Sequence, residues 1–379
     1  MDKKEFVFEE VDLQEKSKIR VGVIDKPFRA EHNQSIQIWL SVLLVLIIIM
    51  IIVGGLTRLT DSGLSITEWK PITGVFPPIS TEMWELAFSK YKQIPEYRFQ
   101  NIEMTLQDFK VIYYWEWGHR QLGRVIGLVW LLGFLWFFSR SIFSKSLQNK
   151  SLAIGILLIV QGTIGWWMVS SGLSGRVLDV FSYRLGIHLT LAFIILGFIF
   201  WNILRLSVQD SHLIHSKRNS DKKLKTFISG ILHLTFLQIF LGALVAGTDA
   251  GSTYTDWPLM AGEIFPSLAF ELSPTWSNFF ESQALVQFNH RIIGYLLFVA
   301  SFVLWIKSRK SGNISLKYSC NLVSTAIIFQ MILGITTLLY AAPWYLAILH
   351  QFGAIITLLV ILNCRFKIMY PFNQSVKAT

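Results

Sequence analysis

The stretch "IWLSVLLVLIIIMIIVGGL" (38–56) contains no charged side chain. A helix rises about 1.5 Å per residue, so this run is long enough to cross the roughly 30 Å hydrocarbon layer of a membrane. A second uncharged run covers 152–171. Further apolar segments lie near 122–138, 185–204, 227–248, 292–306, 321–342 and 345–363. The sequence therefore predicts an all-α integral membrane protein with eight transmembrane helices.

The overall composition agrees with this class. Of 379 residues, 53% are hydrophobic and only 15% are charged, whereas about a quarter of the residues in a typical soluble protein are charged. Basic residues are concentrated in the connectors 207–225 and 307–317, and the stretch 247–289 contains no lysine or arginine. Cytoplasmic loops of membrane proteins are enriched in basic residues. The net charge of +10 is therefore explained by membrane topology rather than by nucleic-acid binding, and the loops 57–118 and 247–289 are predicted to lie outside.

The same rule places both termini in the cytoplasm. Residues 1–36 mix acidic and basic side chains without an apolar core, unlike a secretory signal peptide, and they are too acidic for a mitochondrial transit peptide. We therefore expect a multi-pass protein of a bacterial inner membrane, with cytoplasmic tails at 1–36 and 366–379.

The two halves of the chain resemble each other. Four motif pairs recur in the same order: "WKPITGVFPP" from Trp69 and "WPLMAGEIFP" from Trp257, "EWGHRQLG" (116–123) and "QFNHRIIG" (287–294), "QGTIG" (161–165) and "QMILG" (330–334), and "GIHLT" around His188 and "ILHQF" around His350. Their offsets of 188, 171, 169 and 162 residues shrink steadily, as expected if the second copy has shorter loops. Because each copy would hold four helices, both copies should insert the same way up.

This repeat predicts two parallel four-helix bundles, 37–206 and 226–365, related by a pseudo-two-fold axis along the membrane normal. A basic cytoplasmic linker, 207–225, would join them. Its two histidines, His212 and His215, lie among serine, lysine and arginine residues, which is typical of a solvated linker.

Four other histidines are related by the repeat. His119, His188, His290 and His350 lie near the starts of the second, fourth, sixth and eighth predicted helices. All even-numbered helices run inward, so the four imidazoles should lie at similar depth near the outer face. Ionisable residues in membrane segments usually face the bundle interior and mark function, although a single histidine could simply hydrogen-bond across helices. His233 has no repeat partner and is expected to be structural.

Each half thus offers a pair of histidines and no metal–thiolate spacing. Zinc prefers three or four protein ligands, whereas a haem supplies its own equatorial nitrogens and needs only axial ligands. Facing helices of four-helix bundles build such cofactor sites. Arg120 and Arg291, each next to a histidine, could pair with haem propionates or extend to the membrane interface. The same alternatives apply to Arg58 and Arg124.

The halves differ beside the first histidine of each pair. Glu116 lies three residues before His119 and shares its helical face, whereas the equivalent residue before His290 is Gln287. A carboxyl group near the membrane suits proton transfer, unless it only anchors the helix at the interface. The asymmetry suggests that the N-terminal half performs chemistry and the C-terminal half holds a haem.

These motifs resemble those of the haem A synthases, a membrane enzyme family of bacteria and mitochondria. The resemblance covers about 35–365, and the motifs that carry it are "GGLTRLTDSGLSITEWKPITGVFPP" (54–78), "EWGHRQLGR" (116–124), "GIHLT" (186–190), "AGTDAGSTYTDWP" (246–258), "NHRIIG" (289–294) and "LHQFGA" (349–354). It implies an oxidoreductase that converts a methyl group of haem O into the formyl group of haem A for terminal oxidases. Partners would be haem O, an electron donor, and in addition haem O synthase and oxidase assembly factors.

The resemblance also implies roles for individual residues. His290 and His350 would hold a permanent haem b, His119 and His188 would bind the substrate haem O, and Glu116 would be needed for turnover. Some bacterial members carry a cysteine pair in the first outward loop, but 57–118 contains none. An electron route through such a pair is therefore excluded, and the chain resembles the cysteine-less type.

Cys320 and Cys364 are the only cysteines, and both fall at predicted cytoplasmic helix ends without an assigned role. Two other functions remain open from the residues alone. A di-haem electron-transfer protein would use the same four histidines but would not need Glu116. A haem transporter with parallel repeats would use a site at the membrane midplane, whereas these histidines lie nearer one face.

Overall fold

The computed structural model describes residues 28–70, 73–173 and 178–371, with side chains from residue 33 onward. Eight long apolar helices in this part of the chain can cross a membrane by length and composition. They are α1 (Phe28–Leu59), α2 (Leu106–Ser139), α3 (Lys145–Leu173), α4 (Ser182–Leu206), α5 (Lys222–Gly247), α6 (Gln283–Arg309), α7 (Ile314–Leu339) and α8 (Trp344–Met369). The predicted all-α membrane fold is confirmed, and no β-strand occurs among the described residues.

Several predicted boundaries were wrong. The first outward loop was expected to reach residue 118, but α2 already begins at Leu106. Thr105 caps this end, because its hydroxyl accepts from the Asp108 backbone while the Asp108 carboxylate accepts from the Thr105 backbone. The uncharged run indicated only the part of α2 that is apolar enough for the hydrocarbon layer. The polar first turns extend the helix on its N-terminal side. His119 therefore lies more than three turns inside α2 rather than near its start.

The expected tails and linker are also partly helical. Helix α1 begins at Phe28, within the tail predicted for 1–36, and α8 continues to Met369, within the tail predicted for 366–379; residues 1–27 and 372–379 lie outside the described part. The linker 207–225 contains a short helix, Asp210–Arg218, and its last residues already belong to α5. Leu213 of that short helix packs against Phe366 and Tyr370 at the end of α8.

Each half of the chain forms a ring of four helices. In the first half α1 contacts α2, α2 contacts α3, α3 contacts α4, and α4 closes the ring on α1. Helices α5 to α8 repeat this order. Between the halves, α4 contacts α5, α1 contacts α8, and α4 contacts α8. This set of contacts is unchanged when the halves are exchanged, as a two-fold axis would require, while the orientation of that axis in the membrane stays a prediction.

The largest core cluster fills the N-terminal ring and extends onto α5 and α8 of the other half. Leu196 and Phe193 of α4 pack with Ile355 and Leu358 of α8, all of them buried. A polar contact also joins α8 to α1: the Gln351 side-chain amide donates to the Ile51 carbonyl at 2.7 Å. Burial of these aliphatic side chains stabilises the joining of the two rings.

The outward loops fold over the ends of the rings. The first contains the helices Thr81–Tyr91 and Pro95–Phe99, which pack on the start of α2 through Trp84, Phe88 and Phe109. The second contains 3-10 turns and the short helix Asn278–Glu281. Both loops thus cover the helix ends nearest to the four histidines.

Candidate functional site

The four repeat-related histidines occupy matching places in the two rings. His188, His290 and His350 lie about two turns after the starts of α4, α6 and α8, and His119 lies deeper along α2 for the reason given above. All four side chains are half-buried. The ring order brings the helices of each pair, α2 with α4 and α6 with α8, to opposite sides of one bundle.

A glycine of the preceding helix faces every one of these imidazoles. A Cβ atom placed on that glycine would lie 2.8 to 3.0 Å from Cε1 of the histidine. The pairs are Gly54 with His119, Gly165 with His188, Gly242 with His290 and Gly334 with His350. Such contacts are shorter than van der Waals separation, so only glycine lets each ring lie this close to the neighbouring helix. We call these four positions the cradle glycines.

Two glutamines hold the second histidine of each pair. The Gln161 side-chain amide donates to the His188 carbonyl at 3.0 Å and lies 3.2 Å from its Nδ1. Gln330 makes the same contacts with His350, at 2.8 and 3.2 Å. Each glutamine precedes a cradle glycine by four residues and therefore shares its helical face. The motif pair "QGTIG" and "QMILG" is thus a matched support for two histidines.

The two histidines of the C-terminal half lie close enough together that they could hold one metal ion between them. The ring centres of His290 and His350 are 6.4 Å apart and the ring planes make an angle of 77°. Metal–imidazole bonds of about 2 Å on opposite sides of one ion would put the ring centres at roughly this separation.

No cluster of three or more histidine, cysteine, aspartate or glutamate side chains suited to a metal ion occurs in the part of the chain that the structure describes. The repeat-related side chains at this site that could bind a metal are the paired imidazoles. That donor set fits a haem, which needs only axial ligands from the protein. The cradle glycines allow each imidazole of a pair to lie close to the backbone of the neighbouring helix.

Glu116 is buried, with 3% of its surface exposed, and its carboxylate ties the first outward loop to α2. Oε2 accepts hydrogen bonds from the Ser65 hydroxyl and the Ile66 backbone N–H, both at 2.7 Å. Oε1 accepts from Arg120 at 2.6 and 3.1 Å. The position is therefore an interior hydrogen-bonded ion pair rather than an interfacial anchor.

Gln287 occupies the equivalent place with the opposite hydrogen-bond polarity. Its side-chain amide donates to the carbonyl groups of Ala250 at 2.7 Å and Tyr254 at 3.1 Å. Its Oε1 accepts from Arg291 at 3.0 Å. Both positions thus fasten an outward loop, one through a charged acceptor and the other through a neutral donor.

The arginines that follow these two residues also hold loop backbone. Arg120 donates to the carbonyls of Ile66 and Glu68 at 3.0 and 3.2 Å. Arg291 donates at 2.8 to 3.1 Å to three carbonyls of the second loop, those of Tyr254, Asp256 and Leu259. Its Nε is buried without a hydrogen-bond partner among the described residues. Propionate binding by Arg120 and Arg291 stays a prediction. It would use guanidinium N–H groups that do not donate to loop carbonyls.

The two remaining arginines near the site also hold nearby groups. Arg124 donates to the Lys70 carbonyl at 2.9 Å. Arg58, at the end of α1, bridges the halves: it pairs with Asp61 at 2.9 Å, with Asp249 at 3.0 Å and with Asp179 at 3.1 Å. Asp61 and Asp249 are repeat equivalents by the 188-residue offset.

Comparison with known proteins agrees with this site. Residues 37–362 match the family described as cytochrome oxidase assembly protein (COX15-CtaA). The chain belongs to this family. A haem A synthase of Dinoroseobacter shibae is 51% identical over 379 residues, which covers 100% of this chain and 99% of that protein. Those of Roseobacter denitrificans, 50% identical with 100% of both chains covered, and Paracoccus denitrificans, 46% identical with 94% of both covered, are similar over nearly the same extent. The resemblance drawn from the motifs is confirmed.

Sequence reasoning about this cytochrome oxidase assembly family member missed the residues that support the histidines. Gln161 and Gln330 lay inside a recognised motif pair, but nothing in the motif indicated that they contact a histidine on another helix. The cradle glycines Gly54 and Gly242 share the 188-residue offset of the tryptophan motifs. Extending the repeat into α1 and α5 would have found them.

The remaining predicted residues lie apart from the paired histidines. His233 is exposed on α5. Cys320 and Cys364 are buried together in the C-terminal half with their sulfur atoms 3.7 Å apart, and both are free thiols. The side chain of His215 is exposed on the short linker helix.

Proposed function

We propose that the chain is a haem A synthase, an oxidoreductase that converts a methyl group of haem O into the formyl group of haem A for terminal oxidase assembly. The observation that carries this proposal is the pair of matching histidine sites, each with its cradle glycines, in one chain that is about half identical to haem A synthases over its whole length. The protein would act in a bacterial inner membrane, with both termini in the cytoplasm.

His290 and His350 would hold a resident haem b in the C-terminal half. Their 6.4 Å ring separation suits two axial ligands, and Gln330 fixes the orientation of His350 before any metal binds. A haem held in this way supplies one-electron redox chemistry. The protein's part is to exclude water and to fix both imidazoles, which the apolar bundle and the cradle glycines do.

His119 and His188 would bind the substrate haem O in the N-terminal half. Two successive two-electron oxidations by an external oxidant would each replace a C–H bond of the methyl group by C–OH, giving first an alcohol and then a hydrated aldehyde, which loses water to give the formyl group. The two imidazoles would fix the haem plane and so the position of the methyl group in the bundle. Arg120 and Arg291 would orient haem propionates in the two halves.

Glu116 would be needed for turnover. Its carboxylate is the buried acidic group three residues from His119, and it can hold or pass a proton when bonds at the substrate break. The hydrogen bonds to Ser65 and Ile66 give it a second task, because they hold the first outward loop over the N-terminal bundle. An external electron donor, haem O synthase and oxidase assembly factors would complete the pathway as partners.

The direct test is to express the protein with and without a source of haem O and to identify the extracted haems by chromatography and mass. We expect haem b in both preparations and haem A only when haem O is supplied. Haem b alone in both preparations would favour the second candidate, a di-haem electron-transfer protein. The close similarity of the two histidine sites is also compatible with that function.

A further inference from the structure

The residue four positions before each cradle glycine shares the helical face of that glycine. Three of these residues are glutamines: Gln161, Gln238 and Gln330. Each has its side-chain nitrogen within 3.0 to 3.3 Å of the carbonyl or a ring nitrogen of the facing histidine. The fourth residue, before Gly54, is Met50. At this position the helix beside His119 thus carries a thioether, whereas the helices beside the other three histidines carry an amide.

Met50 and Gln238 take up equivalent space. The Met50 methyl group lies 3.6 Å from where a Cβ of Gly123 would be, and the Gln238 amide nitrogen lies 3.4 Å from the corresponding point of Gly294. Gly123 and Gly294 each follow the first histidine of their half by four residues. The two side chains thus reach the same corner of their bundles, and the difference between them is chemical.

That difference changes how firmly the ring is held. The Gln238 amide lies 3.3 Å from Nε2 of His290 and limits the turning of that imidazole. A methionine sulfur is only a weak acceptor and cannot donate. Nδ1 is buried without a hydrogen-bond partner in both His119 and His290 among the described residues, so the two rings differ in the amide contact to Nε2, which only His290 has from its preceding helix. A ligand that is oriented before binding binds more tightly than one that must be ordered on binding.

We propose that Met50 makes His119 the most weakly held of the four histidines, and that this lets the N-terminal half release its haem while the glutamine-supported C-terminal half keeps its own. This inference rests on the proposed function, because it assigns an exchanging haem to one half and a resident haem to the other. Met50 and Gln238 are positioning residues, since each acts through a histidine.

The test exchanges the two side chains. Wild type, Met50→Gln and Gln238→Met are expressed with a haem O source, purified in detergent and mixed with excess apomyoglobin, which captures released haem. Haems that remain on the protein are separated by chromatography over time. Partners that position a metal-binding histidine typically contribute 10- to 100-fold in affinity. We expect Met50→Gln to slow the loss of haem O and haem A about tenfold, and Gln238→Met to speed the loss of haem b by a similar factor.

Each variant contains its own folding control, because the haem of the unaltered half should leave at the wild-type rate. Met50→Leu is the matched control for shape, and it should release haem O and haem A as wild type does. The inference is overturned if Met50→Gln behaves like wild type, if Met50→Leu slows release equally, or if Gln238→Met keeps haem b as well as or better than wild type.

Failure of the proposed function would look different. Wild type would then purify without haem O or haem A, and Gln238→Met would still report whether the amide holds haem b in the C-terminal half.

Discussion

Glu116 and Gln287 perform the same mechanical task with opposite chemistry. Each is buried, each is paired with an arginine four residues later, and each fastens an outward loop. The first loop offers donors, from Ser65 and Ile66, to a carboxylate, whereas the second offers carbonyl acceptors to an amide. Fastening a loop therefore does not require a carboxylate, and the carboxylate of Glu116 needs another explanation, which the proposed catalytic role would provide.

The comparison of halves first requires that both outward loops face the same side. An alkaline phosphatase reporter, which is active only outside the cytoplasm, should be fully active when fused at Ser89 or Ser252 and inactive at Asn219, because the basic connector is retained inside. Activity at only one of the two loop positions would contradict parallel repeats. If the reporter is active at Asn219 and inactive at both loop positions, the orientation of the protein is opposite to the predicted one, and the histidines lie near the inner face.

The second expected effect is loss of haem b from His350→Ala. The substitution removes an axial ligand that no neighbouring side chain replaces, so the low-spin haem b spectrum should disappear. His188→Ala, the equivalent change in the N-terminal half, should keep that spectrum and lose haem O binding. A His350→Ala protein with full low-spin haem b would show that the halves are assigned the wrong way round or that another residue binds the iron.

Glu116→Gln should lower the yield of haem A by about 100-fold or more while haem b stays, since general acid–base groups contribute roughly 100- to 10,000-fold. The measurement is the haem A to haem b ratio in extracts. Some haem oxidised only to the alcohol should accumulate if the later oxidation depends more on the carboxylate.

Ser65→Ala separates proton transfer from loop fastening. It removes one hydrogen bond to the carboxylate, which is worth about 1.5 to 3 kcal/mol for a charged acceptor, but keeps the titrating group. If Ser65→Ala lowers the haem A yield as much as Glu116→Gln does, loop fastening is the main role. Near-normal haem A from Glu116→Gln would instead remove the argument for a catalytic carboxylate.

Substitution of the cradle glycines should have smaller effects, each confined to the haem of its own half. In Gly242→Ala the new methyl group would lie 3.0 Å from Cε1 of His290, which should weaken haem b binding about tenfold. Gly54→Ala should do the same for the haem of the N-terminal half. Gly230→Ala and Gly127→Ala are matched controls, because a Cβ there meets no neighbouring atom, and both should keep wild-type haem content. Equal haem b loss from Gly54→Ala and Gly242→Ala would show that the two sites are not independent.

The smallest effect concerns pH and the first outward loop alone. Glu96 is 4% exposed, and burial raises the pKa of its carboxyl group from 4.5 to about 8. The folded loop therefore holds a proton that the unfolded loop releases above pH 4.5. Loop stability should be greatest below that pH and should fall as pH rises toward 8, by at most about 1.4 kcal/mol per pH unit.

Limited proteolysis of the first loop should accordingly become faster between pH 5 and about 8, after correction for the protease's own pH profile with cleavage of the second loop. Glu96→Gln should remove this dependence, because the amide does not titrate. A Glu96→Gln loop that still opens with rising pH would assign the effect to another group.

The sequence was sufficient for the eight helices, because an uncharged run of membrane length has few alternatives. It was also sufficient to single out the four histidines, because each of them has an equivalent in the other copy of the repeat. Helix ends were harder to predict: the first turns of α2 are polar and amphipathic, and hydropathy does not separate such a helix from a loop. The Thr105 and Asp108 capping pair was the available marker.

Contacts between helices could not be predicted from the sequence. The facing of Gln161 and His188 depends on how α3 and α4 rotate against each other, and neither residue's own segment sets that rotation. The partners of Glu116 depend in the same way on the path of the outward loop around Ser65. Repeat symmetry narrows such choices, since one correct pairing in the first half predicts its counterpart in the second.

Arg58 shows where that symmetry ends. One guanidinium group serves two equivalent aspartates, Asp61 and Asp249, and the residue in the arginine's place in the second copy is Ala246. A dimer of two N-terminal halves would bring two cations to this corner, and a dimer of two C-terminal halves would bring none. At this corner the two halves are thus complementary to each other rather than to themselves, so that a chain divided in the 207–225 linker should reassemble with a preference for the mixed pair.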